Sequence, residues 1–129
     1  MSEAREILQR AYALRRRGEP QEALQAYREA CAAFGSDREG RAHCLRHIGD
    51  LEMELGSREK ARAALDEAEA LYRNGVDDTL ALANTLRLLA LLDDNKSIWA
   101  DARSHYIRAA ALTGLDLEPA VAECDGHLR

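Results

Sequence analysis

One spacing, written three times, limits what this chain can fold into. Counting from Gly18, Gly56 and Ser97, an alanine stands five residues on (Ala23, Ala61, Ala102), a tyrosine or leucine nine on (Tyr27, Leu65, Tyr106) and a second alanine twelve on (Ala30, Ala68, Ala109). Upstream of the same anchors come a small residue seven before (Ala11, Gly49, Ala90), a large aliphatic eleven before (Ile7, Leu45, Leu86) and an alanine fourteen before (Ala4, Ala42, Ala83). Ala23 to Ala61 is 38 residues and Ala61 to Ala102 is 41, a period at which self-similarity indicates a solenoid of stacked supersecondary units.

The units are helical. Two prolines, one phenylalanine and 32% charged residues in a background rich in Ala, Leu, Arg and Glu favour helix and argue against sheet, so an all-α chain is expected, about one domain over its 129 residues. The formal charge of −5 argues against nucleic acid or an anionic membrane as the main partner. That charge is uneven: residues 1–17 carry five arginines against two glutamates, and 116–129 carry four acids against Arg129. Cys31, Cys44 and Cys124 are odd in number and lack CxxC spacing, which fits a reducing, cytoplasmic setting. No secretory signal is apparent, and the apolar run Leu80 to Leu92 is too short and too polar to span a bilayer.

In chain order the spacing predicts seven helices. The first covers residues 2–17, with Ala4, Ile7, Leu8, Ala11 and Leu14 on one face, and Gly18 closes it. Pro20 opens the second, which buries Ala23, Leu24, Tyr27, Ala30, Cys31 and Phe34. Ser36 and Glu39 have the form of a capping box opening a third helix to about Leu55, in which Gly49 implies a neighbour too close to admit a side chain. Ser57 starts the fourth, which Asn74-Gly75 breaks. Asp77 or Asp78 caps the fifth, and Ser97 caps a sixth with Trp99, Ala102, Tyr106, Ala109 and Leu112 inward. Leu117, Val121, Cys124 and Leu128 give the seventh one apolar stripe, and Glu118, Glu123 and Asp125 give it a polar face for water.

The small residue in each first helix, the Gly turn and the Ala-x-x-x-Tyr/Leu-x-x-Ala of each second helix together resemble the tetratricopeptide repeat (TPR) consensus over about residues 4–113. The resemblance divides the chain into repeats at about 4–35, 42–74 and 83–114, with a capping helix at about 117–128. The periods exceed the usual ~34 residues, as in longer-period variants, and Ser97, Glu52 and Asp93 depart from the consensus.

The resemblance implies a right-handed superhelical solenoid of antiparallel helix hairpins whose first helices line a concave groove for a peptide or partner helix. Its candidate positions here are Arg5, Leu8, Gln9, Tyr12 and Arg15, then His43, Arg46, His47, Asp50 and Met53, then Asn84, Arg87, Leu88, Leu91 and Asp94. A groove of Arg and His favours an acidic segment or terminal carboxylate, because arginine binds carboxylate bidentately. The clamp by which some relatives hold acidic chaperone tails is absent, since Leu8 and Tyr12 stand where its first lysine and asparagine would be. The expected function is therefore a non-catalytic protein-interaction module, a scaffold or adaptor. The alternative is a self-assembling unit dimerising through residues 4–34.

No catalytic constellation, cofactor motif or metal set emerges. His43 and His47 have metal-compatible i, i+4 spacing, but the glutamate of HExxH is missing and no third ligand is evident. Cys44 beside His43 diverges from it by about 100° around the helix, too far for a nucleophile and base. His105, His127 and Trp99 read as structural.

Overall fold

Short polar side chains and glycines divide the chain into helices. The structure is a computed structural model and describes residues 2–129. Among those residues there are seven α-helices and no strand: α1 (Glu3–Arg16), α2 (Pro20–Phe34), α3 (Arg38–Glu54), α4 (Arg58–Arg73), α5 (Thr79–Asp93), α6 (Lys96–Thr113) and α7 (Glu118–Leu128). The Ser2 hydroxyl accepts from the Arg5 N–H at 3.2 Å, and Pro20 sits in the first turn of α2, where its missing N–H costs nothing. Asp78, one of the two aspartates expected, caps α5 by accepting from the Ala81 N–H.

Two expected caps are displaced. Asp37, not Ser36, starts α3, its carboxylate accepting from the Gly40 N–H at 3.1 Å. At the sixth helix Asp94 takes the left-handed conformation (φ +48°) and tightens the turn, so α6 begins ahead of Ser97. The Asn95 carboxamide then caps it, accepting from the N–H groups of Ser97 and Ile98.

Two compact units result, one ending at Val76 and containing α1 to α4, the other spanning Asp77–Arg129 with α5 to α7. In the first, consecutive helices pack on one another from α1 through α4; in the second, α5 packs on α6 and α6 on α7. The repeated positions are the core. Ala11, Ala23, Tyr27, Ala30, Ala42, Ala61, Leu65, Ala68, Ala83, Ala90, Ala102 and Ala109 are wholly inaccessible. Burying methyls rather than long chains lets the helix axes approach closely.

Gly49 shows how tight that approach is. A Cβ built there would overlap Cγ and Cδ2 of Leu65, whose side chain is fully buried. The other repeats have alanine at this position (Ala11, Ala90), together with a tyrosine where Leu65 stands (Tyr27, Tyr106). A flat ring leaves room for one methyl, whereas a branched leucine fills it. The sequence covaries within itself accordingly.

In the second unit α7 is held by one fully buried side chain, Cys124, and by polar contacts around it. Glu123 and Asp125, expected on the face meeting water, instead pair with Arg87 and Arg103, because both flank the stripe rather than oppose it. The His127 ring stacks on Trp99 at 3.9 Å between centroids. Leu112, expected inward, is 67% exposed: α6 is 18 residues long against 15 for α5, and its last turn overruns its partner.

Candidate functional site

The residues expected to bind a partner fall into two groups, one in each unit. In the first, α1 supplies Tyr12 and Arg15 three residues apart, and α3 supplies His43, Arg46, His47 and Asp50 at steps of three, one and three, which is one face of a helix. These side chains meet. The Tyr12 hydroxyl lies 2.5 Å from His43 Nε2, and Arg15 donates to Asp50 Oδ2 at 2.7 Å while its second Nη lies 3.3 Å from His47 Nδ1. Arg46 Nη2 approaches His43 Nδ1 at 3.5 Å.

A guanidinium N–H of Arg15 facing Nδ1 of the neutral His47 requires a lone pair there, so that ring carries its proton on Nε2. The rings themselves form an aromatic box. His47 stacks on Tyr27 at 4.9 Å with 5° between planes, and meets His43 at 4.6 Å and Tyr12 at 5.9 Å edge-on.

The electrostatics are set by arginine charges around a part-buried, neutral His47. Burial first, then the charges of Arg46 and Arg15 and the neighbouring His43, push the His47 pKa down to about 2, so this ring is neutral at physiological pH. Burial raises the Tyr27 hydroxyl to about 12 and the Tyr12 hydroxyl above its ordinary value, with nearby arginines opposing both. Fixed positive charge comes from arginine. Arg5, Arg16 and Arg46 make no ion pair among the described residues, in contrast to Arg15 with Asp50. An open pocket of about 350 Å³ is lined by Tyr12, Arg15, Arg16, Tyr27 and His47.

Leu8 is placed differently: it is buried in the core of the first unit and offers no surface to a ligand. In the second unit Asn84 accepts from the Tyr106 hydroxyl at 2.7 Å. Arg87 is engaged bidentately by Glu123 of α7 at 2.5 and 2.9 Å, a hydrogen bond that is the main reason the Glu123 carboxyl titrates below its ordinary range. Leu91 is exposed.

The residues that the spacing alone did not assign to the site are Tyr27 and Arg16. Tyr27 occupies a core position and is inaccessible, yet its ring forms the floor of the pocket; Arg16 follows Arg15 at the end of α1. Among the described residues no group of three or more His, Cys, Asp or Glu could hold a metal ion, and the thiols of Cys31, Cys44 and Cys124 are all buried, with Cys44 raised to about 12 by that burial. No described helix is long and apolar enough to cross a membrane.

Residues 4–47, which cover α1, α2 and the first part of α3, match the family described as Tetratricopeptide repeat. No curated protein matches the chain. Repeats of this family generally mediate protein–protein interaction and are typically non-catalytic. Over residues 4–47 the chain is thus similar to a tetratricopeptide repeat, and the same core spacing carries on through its later α-helices.

Proposed function

We propose that this protein is a non-catalytic adaptor that binds a carboxylate-bearing segment of a partner protein on the face formed by α1 and α3 of the first unit. The observation that carries the reading is the concentration of Arg5, Arg16 and Arg46, all without an internal carboxylate, around the Tyr12–His43–His47 box. Arginine there meets a carboxylate without first breaking an ion pair, and Arg15, fixed by Asp50, keeps the box in place. The second unit's cationic position, Arg87, is already satisfied by Glu123 and takes no part.

The test is a fluorescence-anisotropy titration with a labelled glutamate-rich peptide. Binding should weaken steeply with salt, be lost in Arg46→Glu and persist in Arg87→Glu. Binding that is indifferent to Arg46 would remove the α1/α3 face from the account.

Self-association is the second reading, carried by a different observation: Ile107, Leu112 and Leu115 are 46%, 67% and 52% exposed near the end of α6. On this reading the contact forms there, and Leu112→Lys lowers the solution mass measured by light scattering. A concentration-independent monomer for the unaltered protein removes it.

A further inference from the structure

We infer that the pocket beside the arginines accepts a large apolar side chain, preferably aromatic, from an acidic partner segment whose flanking carboxylates lie on Arg16 and Arg46. This deepens, and rests on, the proposed binding of an acidic segment to the α1/α3 face. Three features of the site carry it.

The first is shape and lining. A pocket of about 350 Å³ is large enough for one bulky side chain, and three of its five lining residues present rings: Tyr12, Tyr27 and His47. A stacked His47–Tyr27 pair with Tyr12 edge-on to both leaves ring faces and edges disposed as aromatic side chains prefer to meet another ring. The second is charge state. His47 stays neutral because it is buried among arginines, so the pocket interior does not repel an apolar group by carrying a charge of its own, and the cations are confined to Arg15 and Arg16. Arg15 is committed to Asp50, which leaves Arg16 to meet an incoming anion.

The third feature is unmet hydrogen bonding. Arg46 Nε is buried with no hydrogen-bond partner among the described residues, while the Tyr27 hydroxyl, also buried, has only the Arg15 guanidinium beside it. A folded protein leaves such groups unpaired at a cost, and they occur where a ligand or an ordered water completes the set. A carboxylate flanking the apolar anchor meets that need at Arg46, and the anchor, by excluding water from the rings, leaves the guanidinium in drier surroundings that strengthen the contact.

The experiment uses the full chain and labelled pentapeptides Glu-Glu-X-Glu-Glu with X as Phe, Leu or Ala, read by fluorescence anisotropy. Burying the ring should make the Phe peptide bind about tenfold tighter than the Ala peptide, with Leu between. Tyr12→Ala should erase that preference. Because Tyr12 also bridges α1 to α3, a second readout uses the unaltered protein: nuclear Overhauser contacts between the peptide Phe ring and the Tyr12 and His47 rings. Equal binding of the Phe and Ala peptides, still lost in Arg46→Glu, overturns the pocket and leaves the acidic-segment reading standing. Binding of none of the three overturns both. A Phe preference that survives Tyr12→Ala without ring contacts places the anchor elsewhere and also overturns the pocket.

Discussion

Arg46 and Arg87 hold the same place in the repeat, ten residues before Gly56 and Ser97. Both project from a first helix, α3 or α5, and both are partly buried. Arg87 is closed by Glu123 in a two-point contact, and α7 supplies that glutamate. Arg46 touches His43 and has no carboxylate among the described residues. In these two repeats the position carries an arginine, where the first has the buried Leu8, and a segment outside the repeat decides whether that arginine is spoken for. One unit uses the position to tie down its own last helix; in our reading the other keeps it for a partner.

Acidification should separate the two units most strongly. The folded pKa of His47, about 2, lies below its ordinary 6.5, so the folded form binds fewer protons than the unfolded one in between. The stability it contributes is present above 6.5 and is lost as pH falls toward 2, by up to about 1.4 kcal/mol per pH unit. Glu123, depressed by Arg87, loses its contribution only as pH falls below its ordinary 4.5. Hydrogen exchange between these two values should therefore show α3 opening before α7, and His47→Gln should abolish the difference.

The next effect is steric and confined to the first unit. Gly49→Ala gains helix propensity but drives a methyl into Leu65, for a net loss of about 1–2 kcal/mol in a denaturant titration. Adding Leu65→Tyr, which restores the pairing found in the other repeats, should recover most of it. In the second unit Arg87→Glu sets like charges together and should cost about 1 kcal/mol, the pair being one-third exposed. Its signature is loss of exchange protection in residues 118–128 with α1 to α4 unchanged. Smallest of all, Arg46→Glu should alter stability by less than about 0.5 kcal/mol, since no ion pair is broken.

What was legible in the sequence is the core, because close helix packing demands small residues at fixed offsets and leaves that demand in the spelling. Ala11, Ala42, Ala83 and the other repeated positions are the inaccessible ones. Local competition was harder to read. Ser36 and Asp37 can both cap, as can Asn95 and Ser97, and the choice turns on backbone angles such as the left-handed Asp94 that no offset records. The site was half legible. The i, i+3, i+4 spacing puts His43, Arg46, His47 and Asp50 on one face of α3, and the structure brings Tyr12 and Arg15 to that face. Leu8 was misplaced because Ile7 and Leu8 are adjacent and either can face the core; here Leu8 does so and Ile7 is half-buried. The repeat spacing marks Tyr27 as core, yet a residue can be inaccessible and still form the floor of a pocket. The pairing of Arg87 depends on α7, which lies outside the repeat and carries no offset to count from.

The most direct test of the account is a map of backbone amide shifts in the ¹⁵N-labelled protein as the glutamate-flanked Phe peptide is added. The account predicts perturbations concentrated on α1 and α3 around Tyr12, Arg15, Arg16, His43, Arg46 and His47, with α7 silent. Perturbations centred on α6 and α7, leaving the Tyr12–His47 face untouched, would contradict it.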